Sequence, residues 1–423
     1  MEAFGGHLAR LGQELGIQTR TVRLTLPVAP SGGEGHQPGA LSSVMDGVRD
    51  LADVLGARWY CLPLDLLRPG AHGAVLDEAQ TLVLRDSRLF VNLIAADPDV
   101  ISIEGAHSAS RFILSLARRG NTGIDNFRVG VSAACPAGTP FFPFSRHEGD
   151  EPGFSLALET ASLALQCAER ARAEQGSLLE FQERLIEALA AEMRRVDAFG
   201  RVLEEASGVE YRGLDGSLAP FPDGVTSIGR LVELLGPSPV GAHGTIFITS
   251  VLSDAIKTAC VRAQARTVGF NGVMYSLLED NGLAGANNLR AVTIEKLAVF
   301  STVCGCGIDM VPVPGTMFAE DLAGIGSPEN PAGVDDLDAG QGTDARIHIL
   351  SCRLSLADRS VTHGPRAASG LRIPDRFPRA RPSLVRAAAR ASLDPAPGSG
   401  RCPGDPQMRI PSPPGPPPAR GRD

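Results

Sequence analysis

Residues Leu89–Ala95 have the sequence LFVNLIA, an almost continuous run of large apolar residues. A run of this length and composition is typical of a strand that is buried on both faces, as in a parallel sheet. On either side of it, strand patterns alternate with helix patterns across short connections. The predicted helices are Glu2–Gly16, Ser42–Leu55 and His107–Arg119, and the predicted strands are Gln18–Leu26, Arg58–Leu64 and Phe127–Ala134. This alternation predicts an α/β fold with a mostly parallel sheet covered by helices.

The chain that follows is richer in helix patterns. Apolar residues at helical spacing predict two helices across Phe154–Ser207, divided near Gly176. The other predicted elements are helices at Val225–Leu235, Thr245–Arg266 and Thr293–Val303, strands at Phe270–Leu277 and Gly307–Val313, and a turn-rich loop or short strand at Asp215–Pro222.

Bulk composition limits the classes of partner and compartment. The net charge is −8 and aromatic residues make up 5% of the chain, which argues against a nucleic-acid-binding surface. No apolar run approaches the roughly 18 to 20 residues of a membrane span, and no signal peptide precedes the first helix. The eight cysteines have no secretory context and are expected to be free thiols. We therefore expect a cytoplasmic protein that binds neither nucleic acid nor membrane.

The composition changes after about Leu322. Residues Val361–Asp423 are dominated by proline, arginine, glycine and alanine, with too few large apolar side chains to offset the entropy of ordering. We therefore divide the chain into a domain at residues 1–325 and a tail at 326–423 that is predicted to be disordered. The tail either binds a partner or has no selected structure.

Residues Ser301–Gly315, STVCGCGIDMVPVPG, are the strongest candidate for chemistry. Cys304 and Cys306 lie between a predicted helix and a predicted strand, and each is followed by a glycine that permits a tight bend. A cysteine here can serve as a nucleophile, a radical carrier or a soft metal ligand, or both thiols can simply fill the bend. No second pair stands at zinc-finger spacing, so no metal site is predicted. Asp309 either pairs with an arginine or contacts a substrate.

Two further loops carry candidate side chains. His147 and Glu148 follow a predicted strand and can form an acid–base pair or bind a metal, or belong to a solvated loop. Gly244 and Thr245 open a predicted helix, where free N–H groups can bind an anion or simply start the helix.

A third candidate, Glu279 with Asp280, follows the predicted Phe270–Leu277 strand. Turn chemistry explains the pair, although two adjacent carboxylates can also hold a cation.

Together these segments resemble the uncharacterised pyruvate-formate-lyase-like proteins, family 711 among domains of unknown function, from about Glu2 to about Leu322. The segments that carry the resemblance are Phe90–Leu93, Pro140–Glu148, Asp215–Pro220, Gly244-Thr245 with Asp254, Glu279-Asp280 and Thr293–Gly315. The resemblance implies a ten-stranded α/β barrel related to glycyl radical enzymes, with Cys304 near its cysteine loop. It also places Asn92, Asp215, Ser217 and Asp254 among the candidate ligand-binding residues.

The sequence departs from this family pattern in three places. No Arg-Val-x-Gly-Tyr-type loop is present to hold a glycyl radical, so radical catalysis is not expected. The chain starts inside the first helix of the family pattern, and after the Pro-Val-Pro-Gly stretch it lacks the helix and closing strand of the family. We therefore expect a barrel that is incomplete at both ends. A reading-frame shift after about Ile325 would explain the arginine- and proline-rich sequence. Translation of the gene in the other two frames beyond that point tests this hypothesis.

Three functions follow as hypotheses, and the last of them is a purely structural role. The first is a non-radical enzyme that acts on a small polar or anionic metabolite through Cys304, with Asp309, His147 and Glu148 as further catalytic candidates. The second is a metabolite-sensing or scaffold protein, for which the resemblance implies an ACT-domain partner, since family members are often encoded beside one. A second copy of the chain, forming a homodimer, is also a candidate partner. No cofactor is indicated by the sequence.

Overall fold

The computed structural model of the protein describes residues 2–30, 39–68, 70, 72–120, 123–325 and 345–351. Eleven helices lie in these ranges: α1 Glu2–Glu14, α2 Ala40–Val54, α3 Gly73–Arg85, α4 Ile103–Arg119, α5 Ala161–Ala173, α6 Leu178–Ser207, α7 Ile228–Leu234, α8 Thr245–Ala263, α9 Asn281–Asn288, α10 Ile294–Cys304 and α11 Ala319–Ile325. The strands in the same ranges are β1 Arg23–Thr25, β2 Ala29–Pro30, β3 Trp59–Asp65, β4 Leu89–Ala96, β5 Val129–Ala133, β6 Gly153–Ala157, β7 Glu210–Asp215, β8 Ile308–Val313 and β9 Ala345–Ser351.

The strands form two sheets. Seven strands make a sheet with the order β1-β3-β4-β5-β9-β8, in which β2 also pairs with β3, while β6 and β7 form a parallel pair. All pairings in the larger sheet are parallel except that of β8 with β9. The predicted α/β class is confirmed, and the ten-stranded barrel remains a prediction. No helix of the described ranges is long and apolar enough to cross a membrane.

Strand β4 occupies the middle of the larger sheet, and all eight of its residues are buried. The apolar run Leu89–Ala95 therefore forms a central strand that is buried on both faces, as predicted. The helix that follows β4 begins with a side-chain cap, because the Ser102 hydroxyl accepts a hydrogen bond from Gly105 N–H at 2.9 Å. Such a cap satisfies one of the free donors at the start of a helix.

The two sides of this sheet are covered differently. Residues 139–147 cover one side, which we call the loop face. The Cys61 thiol of β3 donates to the carbonyls of Pro143 and Ser145, and a Cβ on Gly130 of β5 would approach Phe144 to 2.5 Å. Helices α3 and α4 pack against β4. Since the loop occupies the first side, these helices lie on the other.

Several sequence-based assignments need correction. Phe154–Ser207 is not helical throughout, because its first residues form β6 and pair with β7 over residues 210–215. Phe270–Leu277 is not a strand and makes only single bridges. Its backbone donors are used elsewhere: Phe270 and Asn271 donate to Asp215, and Val273 donates to the Cys304 carbonyl.

Helices α3, α9 and α11 and strand β7 were not predicted from the sequence. Strand β9 lies within the segment 326–423, for which the composition predicts disorder, and it pairs with both β5 and β8. Helix α11 and strand β9 thus follow the Pro-Val-Pro-Gly stretch, where the sequence predicted that a helix and a strand are missing. The remainder of that segment lies outside the described residues.

A polar network joins the amino-terminal ends of β3 and β4 to α2. The Asp86 carboxylate accepts hydrogen bonds from the Tyr60 hydroxyl and from Arg49 Nε, the latter at 2.9 Å. Burial alone would raise the pKa of Asp86, but these hydrogen bonds outweigh burial and hold the pKa below its usual value. Burial and the adjacent carboxylate raise the pKa of Tyr60 to about 12. The network therefore stabilises an ionised Asp86 beside a neutral tyrosine.

Arg49 allows a matched test of this network, because it also pairs with the exposed Asp46 at 2.6 Å. We expect Asp86→Asn to lower the free energy of unfolding by about 1–3 kcal/mol, and Asp46→Asn to change it by less than about 0.5 kcal/mol. The Asp86 contribution is present above its ordinary pKa of 3.8 and is lost as the pH falls below that value. Urea unfolding at several pH values measures both effects, and equal losses in the two variants would refute the assignment.

Candidate functional site

The two cysteines of the sequence motif lie in a tight turn at the end of α10. The helix begins with the Thr293 side chain as its cap and ends at Cys304. Gly305 and Gly307 have φ values of 80° and 95°, in the left-handed region that favours glycine. The chain thereby turns back within three residues and enters β8. Both cysteine side chains are fully buried.

The environment of Cys304 favours a neutral thiol. Burial raises its pKa, although Cys306 N–H and Gly307 N–H each donate to its sulfur at 3.4 Å and partly oppose that effect. Burial raises the pKa of Cys306 well above its ordinary value as well, and nearby Cys304 and Asp215 add to the shift. At neutral pH neither sulfur is a ready nucleophile, because the thiolate is the reactive form.

Asp215, at the end of β7, organises the backbone beside these cysteines. Its carboxylate accepts from the backbone N–H groups of Ser217, Phe270 and Asn271 and from the Ser217 hydroxyl, at 2.6–3.1 Å. The Ser217 hydroxyl in turn accepts from Gly272 N–H at 3.0 Å. Burial raises the pKa of Asp215 against the effect of these donors. The predicted ligand-binding residues Asp215 and Ser217 thus hold the segment that packs on the cysteine turn.

Asn92 lies at the centre of β4 and points to the loop face. It alternates along the strand with Phe90, whose ring lies 5.4 Å from that of Phe142, and it pairs with Gly130 of β5. Its side chain is fully buried, yet neither its Nδ2 nor its Oδ1 has a hydrogen-bond partner. Buried amides in folded proteins are almost always hydrogen-bonded, so this side chain requires an explanation.

Strand pairings connect β5 to β8 through β9. Val131 of β5 pairs with Ile349 of β9, which pairs with Ile308 of β8. The pairing of β8 with β9 shifts register between Ile308 and Val311, and Asp309 lies within this irregular stretch. Asp309 forms a parallel bridge with Ser276, whose hydroxyl is also buried without a partner. Ser276, beside Asp309, is therefore a second buried polar side chain without a hydrogen-bond partner.

The predicted acid–base pair does not form a buried catalytic unit. His147 Nδ1 lies 3.1 Å from the Arg212 guanidinium, and the exposed Glu148 pairs with Arg146 at 2.9 Å. Glu148 and Arg212 border a surface cleft of about 440 Å³. Each of the two predicted residues therefore has an arginine partner, and the cleft that Glu148 borders does not include Cys304 in its lining.

The remaining predicted residues lie in local structural arrangements. Thr245 Oγ1 accepts from Gly241 N–H at 2.9 Å and closes the turn in which Gly244 precedes α8. Asp254 lies on the exposed side of α8 and accepts from Gln182 at 2.8 Å. Asp280 caps α9 and also accepts from the start of α7.

Glu279 is half-buried and lies near Arg23. The structure brings Cys304, Asp309, Asp215 and Ser217 together, and it does not join Asp254 to them.

Sequence reasoning did not identify four buried polar side chains near the cysteines. Ser253 of α8 donates to the Cys304 carbonyl at 3.5 Å, and the Tyr275 hydroxyl lies 2.6 Å from Thr249 Oγ1. Ser276 follows Tyr275 in an otherwise apolar stretch. This polar residue in an apolar pattern is the sequence feature that could have identified the buried hydroxyl. The described residues contain no group of three or more His, Cys, Asp or Glu side chains arranged to hold a metal.

Thiol reactivity provides a direct test of this environment. We expect Cys304 and Cys306 to resist iodoacetamide at pH 7–8 in the folded protein and to react on unfolding, because burial keeps them protonated and inaccessible. Cys260 is the internal reference. It is half-buried, and burial raises its pKa to about 11, so it should be alkylated before the other two. Peptide mapping by mass spectrometry reports each site, and rapid native labelling of Cys304 would identify a reactive nucleophile instead.

Comparison with known proteins now gives the family. The model of the family described as Uncharacterised ACR (DUF711) matches residues 75–333, a range that includes Asn92, Asp215, Cys304 and Asp309. The UPF0210 protein of Methanosarcina barkeri is 31% identical over 212 residues, covering 50% of this chain and 47% of the relative. That of Methanopyrus kandleri is 30% identical over 268 residues, covering 62% and 58%.

The UPF0210 protein of Corynebacterium glutamicum is 24% identical over 340 residues, covering 70% of this chain and 73% of the relative. The chain thus spans about half the length of the Methanosarcina relative and more of the others. The family match covers well over half of the 423 residues. The family predicted from the sequence segments is confirmed, and the protein belongs to the DUF711 family, which the UPF0210 proteins represent among its relatives.

Proposed function

We propose that this protein binds a small polar metabolite on the loop face of its sheet and acts as a metabolite sensor. The observation that carries the proposal is Asn92, a fully buried side chain with both polar atoms unpartnered. Burying an amide without hydrogen bonds costs roughly 1–3 kcal/mol by protein mutational measures. A leucine or valine would be more stable at the centre of so apolar a strand. A ligand that hydrogen-bonds to this amide offsets the cost.

A closed barrel would give this site its walls. Four single parallel bridges support the proposal that the ten-stranded barrel of the glycyl radical enzymes is the underlying fold. These bridges are Pro27 with His147, Leu214 with Thr267, Leu218 with Val273, and Ser276 with Asp309. They link β1 to the chain before β6, β7 to residues 267–273, and residue 276 to β8. We propose that Asn92 and Ser276 both line the interior of such a barrel.

The second candidate is an enzyme that uses Cys304 in non-radical chemistry on the same metabolite. The two backbone N–H groups directed at its sulfur favour this reading, since they would stabilise a thiolate once it formed. Burial acts in the opposite direction and raises the pKa of Cys304. A neutral, inaccessible thiol is a poor nucleophile. We therefore favour a metabolite sensor over an enzyme that uses Cys304.

The predicted partners, location and domain division are independent of the Asn92 site. An ACT-domain partner would couple ligand binding to a second protein, and a homodimer would couple two sites. Cytoplasmic location, the division into residues 1–325 and 326–423, and the frame shift after Ile325 remain predictions. Each can be tested independently of the ligand.

Native mass spectrometry of the purified full chain tests the proposal. We expect an added mass on the folded protein that is lost on denaturation and absent from Asn92→Leu. Incubation of the released compound with fresh protein then separates the two candidates, because a sensor returns it unchanged and an enzyme converts it. An added mass that persists in Asn92→Leu would place binding elsewhere and contradict the proposal.

Stability provides an independent measurement. We expect Asn92→Leu to raise the free energy of unfolding of the ligand-free protein by about 1–3 kcal/mol, because it removes two unsatisfied groups from the core. Asn126 is the matched control. It is equally buried, but only its Oδ1 lacks a partner, because its Nδ2 donates to the Ile113 carbonyl at 3.1 Å. Asn126→Leu removes that hydrogen bond, so it should lower stability by about 1 kcal/mol. Equal destabilisation in urea unfolding would mean that the Asn92 amide is satisfied within the protein.

A further inference from the structure

The hydrogen-bonding pattern of the Asn92 amide restricts the chemistry of its ligand, provided that the proposed binding site is correct. The side chain presents a donor, Nδ2–H, and an acceptor, Oδ1, side by side, and both are unpartnered. A carboxylate offers only acceptors and would leave Oδ1 facing another oxygen. An ammonium or amidinium offers only donors and would leave Nδ2 unsatisfied. A single group that presents a donor beside an acceptor satisfies both atoms at once.

The charged groups near the loop face also disfavour an anion. The guanidinium of Arg146 pairs with Glu148, and that of Arg212 contacts His147 and the Glu148 carbonyl. The guanidinium of Arg23 lies 5.4 Å from the Phe142 ring, but the acidic Glu159 and Glu279 lie near it. Deeper in the structure, Asp215 and Asp309 are buried acids, and burial keeps the neighbouring thiols protonated. An anionic ligand would therefore lose its hydration without gaining a dedicated cation, which is costly in a protein interior.

We propose that the ligand presents a neutral carboxamide or lactam group to Asn92, in a paired, two-hydrogen-bond contact. The Ser276 hydroxyl, which can donate or accept, is available to a second polar group of the same molecule. This narrows the expected metabolite from the polar or anionic class to neutral amides. Asn92 is then the specificity-determining residue, because its amide accepts only ligands that place an acceptor opposite Nδ2 and a donor opposite Oδ1.

Three probes of nearly identical shape test the assignment: acetamide, acetate and acetamidine. They present a donor with an acceptor, two acceptors, and two donors respectively. Molecules of four heavy atoms bind weakly, so titration to roughly 100 mM at constant ionic strength is appropriate. The readout is the shift in melting temperature of the full chain, with Asn92→Leu as the baseline for non-specific effects. Wild type should bind acetamide at least about tenfold more tightly than either isostere.

Asn92→Asp provides the reciprocal test, since its carboxylate presents two acceptors. This variant should lose the preference for acetamide and favour acetamidine. If it does not fold, the comparison of wild type with Asn92→Leu still decides. A wild-type preference for acetate or acetamidine that Asn92→Leu abolishes would overturn the amide assignment and leave the binding site intact. If no probe distinguishes wild type from Asn92→Leu, and no ligand co-purifies, both this assignment and the proposed function fail.

Discussion

The buried carboxylate of Asp215 is the interaction on which the arrangement around the cysteine turn depends. It collects four hydrogen bonds from Ser217, Phe270 and Asn271, and thereby ties the end of β7 to the segment before Tyr275. Burial raises the pKa of this carboxyl group, and the four donors oppose that shift by replacing part of its lost hydration. The held segment then donates through its Val273 N–H to the Cys304 carbonyl. Backbone hydrogen bonds of Leu214 and Leu218 to residues 266–274 reinforce this connection.

Much of the sheet could be predicted from the sequence because its pattern is local. The run LFVNLIA is β4, and the helices from Glu2, Ser42, Val225, Thr245 and Thr293 appear close to their expected limits. Elements defined by distant partners could not be predicted in this way. Strand β6 exists because residues 210–215 lie beside it, and Phe270–Leu277 is not a strand because Asp215 takes its backbone donors. In both places, tertiary contacts override the local pattern.

The candidate site was predicted in part, for a similar reason. The motif around Cys304 marked the correct turn, since glycine at positions 305 and 307 signals backbone that other residues rarely adopt. Residue type alone could not tell that Asp280 and Thr245 are occupied by helix caps and turns. Nor could it tell that Asn92 is fully buried without a partner. Whether a polar side chain has hydrogen-bond partners depends on the residues around it in the folded protein, so residue type alone does not predict it.

The position of β9 has a consequence for synthesis of the chain. This strand, residues 345–351, lies between β5 and β8, so the sheet is joined through a strand made about 200 residues after β5. At roughly 5–20 residues per second on the ribosome, β5 would emerge some 10–40 seconds before its neighbour. During that interval the nascent chain carries an unpaired strand edge, the kind of surface that promotes aggregation. Chaperone binding to the growing polypeptide would therefore matter most before residue 351 is synthesised.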